Sequence, residues 1–274
     1  MIKEVESLFS LKDKVVVVTG ATGVLGEAFV NGLCSAGATI VVIGRNEDVA
    51  KQRVEEARNA GCKSIYIIAD VLDEQNLIDA KNTILNEFGK IDALVNAAGG
   101  NVAEAVVQPG NDVFDLNVSA LKQAFDLNLF GTIMPTQIFG KEIAKHGGSI
   151  VNISSVSATQ ALTRVLGYSL AKASIDSYTK WMAVELANRY EDKIRMNAIV
   201  PGFFITNQNR ALLTNEDGSL TSRGQAIISK TPFKRFGNPE ELIGALVYLL
   251  SDASKFVNGE NVKVDGGFSA FSGV

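Results

Sequence analysis

Seven short runs of apolar, mostly β-branched residues alternate along the chain with longer segments of helical periodicity. Strands that alternate with helices pair in parallel, because each helix returns the chain to the start of the next strand. The pattern predicts an α/β fold, a doubly wound parallel sheet of about seven strands with helices on both faces. The predicted strands cover 14–19, 39–43, 64–69, 93–96, 149–154, 195–200 and 261–264. The predicted helices cover 24–36, 48–60, 73–87, 117–144, 168–189 and 239–250.

No repeat, low-complexity tract or linker divides the 274 residues, so we expect 1–274 to form a single domain. Segments 101–116 and 203–237 are long for loops in a compact domain, and such loops often carry function. We expect about 203–236 to form a lid over a substrate.

Charge and composition argue against several classes of partner. The net charge is −4 at pH 7, without a dense basic block. We therefore expect no binding to nucleic acid or a membrane, and a small molecule as the partner. No uncharged apolar run approaches the roughly 20 residues of a membrane-spanning helix. The charged first 14 residues contain no apolar export signal, which predicts a cytoplasmic protein.

Residues that commonly bind metals are scarce. Cys34 and Cys62 belong to no CxxC or Cys/His cluster, and we expect both to be reduced thiols. The single histidine, His146, lies in a Gly-rich stretch typical of an exposed turn. The sequence predicts no metal site, and any acid or base must be another residue type.

The first predicted strand leads into TGATGVLG, residues 19–26, where the first long helix begins. Glycine permits positive φ and close approach of a pyrophosphate or a neighbouring strand, and the free N–H groups of a helix start favour an anion. On this stretch alone two interpretations stay open, a dinucleotide-binding turn or a structural turn from strand to helix.

The end of the second strand favours the dinucleotide. Dinucleotide folds place an acidic residue there when the adenosine ribose has a free 2′-hydroxyl, whereas this chain has Gly44 followed by Arg45. This pair favours NADP over NAD, although an arginine at a strand end is also an ordinary solvated residue. Asp70, after the third strand, is a candidate to bond the adenine edge. The small residues 96–99 would let a cofactor approach the backbone, or permit tight packing of strand against helix.

Tyr168 and Lys172 lie four residues apart at the start of a helical segment, so their side chains share one face. Ser155 follows an apolar strand, thirteen residues before the tyrosine. A phenol has a pKa near 10, and a cation within about 4 to 6 Å lowers it by about 1 to 3 units. We expect Lys172 to lower the pKa of Tyr168, which would exchange a proton with a substrate oxygen held by Ser155.

In this order the motifs resemble those of the short-chain dehydrogenase/reductase family over nearly the entire sequence. They are the glycine turn at 19–26, Asp70, NAAG at 96–99, Asn128 in FDLNLFG, Ser155, YSLAK at 168–172, PGFFIT at 201–206 and VDGG at 264–267. In one departure the chain has TGxxGxxG, with Val24 at a usual glycine position, where single-domain members have TGxxxGxG.

The resemblance implies a Rossmann-like fold, an oxidoreductase that uses NADP or NAD on CH–OH groups, a homotetramer, and a catalytic tetrad of Asn128, Ser155, Tyr168 and Lys172. Asn128 would hold a water that links Lys172 to solvent, or serve in packing at a helix kink. Lys172 would also bond the nicotinamide ribose. The implied cofactor site comprises Gly20, Thr22, Gly23, Val24, Leu25, Gly44, Arg45, Asp70, Val71, Asn96, Ala97, Ala98, Gly99, Tyr168, Lys172, Pro201, Gly202, Phe204 and Thr206.

Segment 203–237 offers clustered amide and guanidinium donors at Asn207, Gln208, Asn209 and Arg210, which suit a polyhydroxylated anion. Arg164 and Arg210 are candidates for bidentate carboxylate binding, with Asn209 as a further substrate residue. Either arginine could instead be an ordinary surface residue.

This lid and the tail VDGGFSAFSGV are similar to the family branch that interconverts D-fructuronate and D-mannonate, which predicts a sugar acid reduced at its C5 ketone. The alternatives are a gluconate 5-dehydrogenase-like enzyme or another carbonyl reductase of the family. Outside enzymes, the alternative is a dinucleotide-sensing regulator, which would not need the tyrosine–lysine pair.

Overall fold

A seven-stranded parallel sheet forms the centre of the protein. The computed structural model describes residues 4–206 and 209–273, and the strand order in this part of the chain is β3-β2-β1-β4-β5-β6-β7. Every strand pair is parallel, which confirms the predicted α/β sheet. The strands are β1 Val15–Thr19, β2 Thr39–Gly44, β3 Ser64–Ile68, β4 Ala93–Asn96, β5 Gly148–Ile153, β6 Ile194–Pro201 and β7 Asn261–Val264.

Helices cover both faces of the sheet, as the alternating pattern predicts. Those of the described residues are α1 Val5–Phe9, α2 Val24–Ser35, α3 Glu47–Asn59, α4 Glu74–Phe88, α5 Val118–Phe125, α6 Gly131–His146, α7 Leu166–Tyr190, α8 Arg210–Leu213, α9 Ser222–Lys230 and α10 Ile243–Leu250. Among these helices none has both the length and the apolar composition needed to cross a bilayer.

Alternate residues of β1 belong to two cores. Val16 and Val18 cluster with apolar residues of α2, α3 and α10, whereas Val15 and Val17 cluster with those of α4, α6 and α7. All four valines are at most 4% exposed. Burial on both faces explains why the strand is a continuous apolar run rather than an alternation of apolar and polar residues.

The strand order reverses at β1, because β2 and β3 lie on one side of it and β4 to β7 on the other. In such sheets ligands bind in the crevice outside the carboxyl ends of the strands at the point of reversal. Residues that follow β1 and β4 meet there, which places the glycine turn beside segment 96–99.

The long helix predicted over 117–144 is interrupted. A π-helical turn at Asp126–Phe130 joins α5 to α6 and contains Asn128. Turns of this kind occur often at functional sites. The helical pattern continues through the turn, so the sequence does not reveal it.

The prediction of two reduced, separate thiols is wrong. Cys34 in α2 and Cys62 just before β3 form a disulfide, with their Cα atoms 5.4 Å apart. The segment between them contains β2 and α3, and it returns the chain to the amino ends of the parallel strands. Only this folding brings the two cysteines together, so their spacing in the sequence gave no signal.

The two long segments differ in structure. Segment 101–116 contains one short helical turn, Ala103–Ala105. The described part of 203–237 contains α8 and α9, which an antiparallel bridge between Thr214 and Leu220 connects. Closure of this segment over a substrate stays a prediction.

Candidate active site

The turn between β1 and α2 depends on close backbone contacts. Gly20 has a φ of +65°, and a Cβ there would lie 2.5 Å from the carbonyl oxygen of Ala97. A Cβ on Gly26 would lie 2.4 Å from the carbonyl oxygen of Gly20. Gly23 is the N-cap residue of α2 and provides no side-chain cap, so among the described residues no capping side chain accepts from the first-turn amides of the helix. The contacts of Gly20 and Gly26 show that the turn has a structural role, and the uncapped amides leave the anion-binding interpretation as a prediction.

These amides face a cavity with about 1070 Å³ of empty space, open to solvent, here called the glycine-turn cavity. Nη1 of Arg45 and Oδ2 of Asp70, two of its lining residues, lie 3.7 Å apart. The predicted cofactor residues that line it are Gly20, Thr22, Gly23, Val24, Leu25, Gly44, Arg45, Asp70, Val71, Ala97, Ala98, Gly99 and Thr206. Sequence reasoning missed the lining residues Gly26, Ile43, Ala69 and Leu127.

A second cavity, with about 1030 Å³ of empty space, brings together Ser155, Tyr168 and Lys172 and is here called the tyrosine cavity. It shares Leu25, Ala97, Gly99 and Thr206 with the glycine-turn cavity, so the two adjoin in one cleft. The predicted cofactor residues Pro201, Gly202 and Phe204 also line it. Among the described residues that line it there is no aspartate or glutamate.

Lys172 is buried, with 4% of its surface exposed. Its Nζ donates to the carbonyl oxygen of Ile153 at 2.7 Å and lies 5.5 Å from the centre of the Tyr168 ring. Burial lowers the pKa of Lys172 to about 8, against the opposing charge of Asp176. The amine is therefore mostly protonated at pH 7 and loses its charge in mildly alkaline solution.

The predicted lowering of the pKa of Tyr168 is wrong in this structure. Burial raises this pKa above its ordinary value, and a hydrogen bond with Ser155 only partly opposes the shift. The prediction counted the charge of Lys172 but not the desolvation of the phenol. The neutral phenol, which can donate a proton, is the favoured form.

Ser155 lies directly after β5 and is 8% exposed. Its Oγ accepts a hydrogen bond from the backbone N–H of Ser157 at 3.2 Å, which fixes the hydroxyl beside Tyr168.

Asn128 lies behind the cavity wall rather than in it. Its Nδ2 donates to the carbonyl oxygen of Gly100 at 2.8 Å, and its Oδ1 accepts from the Gly100 N–H at 2.9 Å. A Cβ on Gly99 would lie 2.7 Å from that Oδ1 and 3.4 Å from Nζ of Lys172. Asn128 thus holds the backbone at 99–100 against the lysine, a contact that requires a glycine.

Asn96 is the one predicted cofactor residue that lines neither cavity. Its Nδ2 donates to Oδ1 of Asn152 and to Oγ1 of Thr136, both at 2.9 Å, and the side chain is buried. It connects β4 to β5 and α6 beneath the cleft.

Asn209 lines the tyrosine cavity, but its amide is used within its own loop. Nδ2 donates to the carbonyl oxygen of Phe204 and Oδ1 accepts from the N–H of Thr206, each at 2.8 Å. The predicted donors Asn207 and Gln208 lie outside the described residues.

Of the arginines in and near the predicted lid, the structure brings Arg223 to the tyrosine cavity, whereas Arg164 and Arg210 lie outside its lining. Arg223 lies in the first turn of α9 and donates to Oγ1 and the carbonyl oxygen of Thr163, at 3.2 and 3.1 Å. Sequence reasoning missed Arg223, because the contact between α9 and segment 156–165 is tertiary and has no local motif.

The cleft fits a nicotinamide dinucleotide. The uncapped amides of α2 suit its pyrophosphate, and the wall at Gly20 and Gly26 has no room for side chains. Arg45 offers a guanidinium to an adenosine phosphate, and Lys172 offers an ammonium to hydroxyl groups at the other cavity.

Comparison with known proteins agrees with this geometry. The family model described as enoyl-(acyl carrier protein) reductase matches residues 20–269. The chain belongs to the short-chain dehydrogenase/reductase family, and it is an NAD(P)-dependent oxidoreductase acting on CH–OH groups. Its single-domain, Rossmann-like fold is that of the related structures.

The relatives include sugar-acid enzymes. The chain is 42% identical to an uncharacterized oxidoreductase, UxuB, of Bacillus subtilis, over 97% of this chain and 98% of the relative. A candidate D-mannonate oxidoreductase from Haemophilus influenza with bound NAD is 39% identical, with a TM-score of 0.90 over 99% of this chain and 100% of that one. A gluconate 5-dehydrogenase from Burkholderia cenocepacia in complex with NADP and tartrate is 30% identical, with a TM-score of 0.85 over 97% and 99%.

Proposed function

We propose that the protein interconverts D-fructuronate and D-mannonate, by reduction of the ketone at C5 of the sugar acid or oxidation of the alcohol. The observation that carries the proposal is the charge of the tyrosine cavity. Lys172 and Arg223 line it, and its described lining has no carboxylate, so the cavity favours an anionic substrate. The similarity to the candidate D-mannonate oxidoreductase supports the same substrate.

In reduction, Tyr168 donates the phenolic proton to the carbonyl oxygen. Ser155, which already bonds the phenol, holds that oxygen in reach. When bound, the nicotinamide supplies the hydride to the carbonyl carbon, or accepts it in reverse. The raised pKa of Tyr168 suits the proton donor, and in the oxidation direction the same residue must first lose its proton.

Lys172 and Asn128 support this transfer. The Lys172 ammonium stabilises negative charge that forms on the phenol oxygen. It would also hold the ribose hydroxyls of a bound nicotinamide nucleotide. Asn128 holds the 99–100 backbone in place beside the lysine. That Asn128 also holds a water linking Lys172 to solvent stays a prediction.

A gluconate 5-dehydrogenase activity is the second candidate, favoured by the similarity to that enzyme from Burkholderia cenocepacia. It would use the same proton-transfer residues on 5-ketogluconate, another sugar acid with its ketone at C5. A dinucleotide-sensing regulator would have no use for Ser155, Tyr168 and Lys172 in one cavity, so the geometry does not favour it.

We propose that the adenosine end accepts NADP more readily than NAD, because Arg45 lines the glycine-turn cavity. Its partner Asp70 lies 3.7 Å away, which leaves the guanidinium only loosely held. The bound NAD of the Haemophilus influenza relative favours the opposite preference, and parallel kinetics with both cofactors decide between them.

We also propose a homotetramer. Helix α7 exposes Leu166, Leu170, Trp181 and Val184, the last two by 61% and 60%. Exposed apolar groups on one helix favour burial between subunits. A monomer in sedimentation at micromolar concentration would contradict this proposal. The cytoplasmic location predicted from the sequence stays a prediction.

The experiment that tests the function measures consumption of NADH and of NADPH in parallel, with D-fructuronate and with 5-ketogluconate. We expect the faster reaction with D-fructuronate. A clear preference for 5-ketogluconate would replace the substrate with the second candidate. Activity on neither would reject the sugar-acid proposal.

A further inference from the structure

Arg223 is a cation with no ionic partner among the residues that the structure describes. It is half-buried in the first turn of α9 and lines the tyrosine cavity. Its guanidinium donates to two neutral oxygens of Thr163, at 3.2 and 3.1 Å. Among the described residues, no carboxylate lies within 4 Å of it.

Three features raise the free energy of this cation. Burial lowers the pKa of Arg223, and the positive charge of Arg164 lowers it further. The first turn of a helix is also the positive end of its dipole, where a cation is unfavourable. An anion bound at Arg223 would offset all three features, because it would neutralise the buried guanidinium. The positive end of the helix dipole and the charge of Arg164 would attract the same anion.

Arg164 supplies charge but is held elsewhere. Its Nε donates to the carbonyl oxygen of Val107 at 3.2 Å, and Nη2 donates to the side chain of Gln108. Its own backbone, with a φ of +78°, accepts from the Val107 N–H at 2.9 Å. These contacts fix Arg164 against segment 101–116, outside the cavity lining, in a conformation that is unfavourable for a non-glycine residue.

We propose that Arg223 binds the carboxylate of the substrate, within the positive field of Arg164. This assignment rests on the proposed function. It gives Arg223 the carboxylate-binding role for which the sequence suggested Arg164 and Arg210. A guanidinium has five N–H groups, and two here donate to Thr163, so three stay available for a carboxylate. Ser155 and Tyr168 line the same cavity, which lets one molecule reach Arg223 with its carboxylate and Tyr168 with its ketone.

The test compares Arg223→Gln and Arg223→Lys with a matched control, Arg189→Gln, whose side chain is exposed at the end of α7 and outside the cavity lining. We expect Arg223→Gln to raise KM for D-fructuronate about 30- to 100-fold, while kcat changes less than about threefold. Arg223→Lys should recover part of the loss, because it keeps the charge without the planar fork. Arg189→Gln should leave KM within about twofold of the parent.

Calorimetry in the presence of NADH gives a readout that does not depend on turnover. The parent should bind D-mannonate much more tightly than the uncharged D-mannitol, and Arg223→Gln should remove the difference. Circular dichroism and NADH affinity of Arg223→Gln should match the parent, which separates lost recognition from misfolding.

The outcomes separate the two proposals. If the parent reduces D-fructuronate and Arg223→Gln retains the parental KM, the assignment of Arg223 is overturned and the function stands. A second outcome is a parent that is inactive on D-fructuronate but active on 5-ketogluconate, with a KM for 5-ketogluconate that is about 30- to 100-fold higher in Arg223→Gln. This result would overturn the proposed substrate and leave the role of Arg223 standing. A parent that binds D-mannonate and D-mannitol equally overturns both.

Discussion

The glycine-turn cavity and the tyrosine cavity adjoin in one cleft but are built differently. The first is lined largely by residues at or just after the carboxyl ends of β1, β2, β3 and β4, many of them small. The second takes side chains from β5 and α7 and is completed by α9, which follows a long irregular segment. The sheet itself thus positions the groups predicted to bind the dinucleotide. The proposed substrate recognition would instead depend on a tertiary contact that the 203–237 segment makes.

The largest effect is expected for Tyr168→Phe, which should impair catalysis in the tyrosine cavity and leave dinucleotide binding in the glycine-turn cavity intact. Tyr168→Phe should lower kcat by about 10³- to 10⁴-fold, because phenylalanine lacks the hydroxyl that donates the proton in the proposed reaction. Fluorescence titration should show NADPH affinity within about twofold of the parent, since Tyr168 does not line the glycine-turn cavity and the substitution leaves that cavity unchanged. Residual turnover above a tenth of the parental rate would assign proton transfer to another group.

Gly26→Ala tests the packing of the glycine turn. The added Cβ would lie 2.4 Å from the carbonyl oxygen of Gly20, so we expect the free energy of unfolding to fall by about 2 kcal/mol, with weaker dinucleotide binding. The matched control is Gly244→Ala in α10, where a Cβ would meet nothing within 4 Å. This substitution should raise the free energy of unfolding by up to about 1 kcal/mol, because alanine favours a helix more than glycine does. Denaturant titration measures both. A stable Gly26→Ala protein would refute the close contact.

The pH profile tests the charge of Lys172. This amine is protonated below its pKa of about 8, so the reduction rate should be level at lower pH and fall as pH rises through about 8. Tyr168 stays protonated over this range because its own pKa is raised. Lys172→Arg should abolish the step near pH 8, because a guanidinium keeps its charge. If the rate of Lys172→Arg still falls near pH 8, the fall is caused by the titration of a group other than Lys172.

Arg45→Ala should have the smallest effect of these substitutions, and it changes only the glycine-turn cavity. We expect KM for NADPH to rise about tenfold and KM for NADH to stay within about twofold, because only NADPH carries the 2′-phosphate. Lys145→Ala, an exposed lysine at the end of α6, is the control and should change neither KM. Equal changes for both cofactors would show that Arg45 does not recognise the phosphate.

The sequence predicts the fold and most of the lining of the glycine-turn cavity well. The runs of β-branched residues specify the strands, because a parallel sheet is buried on both faces. Gly20, Gly44 and Asp70 lie at or within two residues of the carboxyl ends of their strands, so their positions in the cleft follow from the strand order. Tyr168 and Lys172 share a helix face for an equally local reason.

The disulfide, the position of Arg223 and the pKa of Tyr168 were missed because each depends on contacts between distant parts of the chain. Cys34 and Cys62 meet only because β2 and α3 bring them together. Arg223 faces the tyrosine cavity only because α9 contacts segment 156–165. The pKa of Tyr168 rises because several elements bury it, and its spacing from Lys172 does not reveal that burial.

The most direct test of the account compares kcat/KM of the parent enzyme for D-fructuronate and for D-fructose. These ketoses differ only where one has a carboxylate and the other a hydroxymethyl group. A cationic cavity whose described lining has no carboxylate should prefer D-fructuronate by at least about 10³-fold. Equal values for the two ketoses would contradict it.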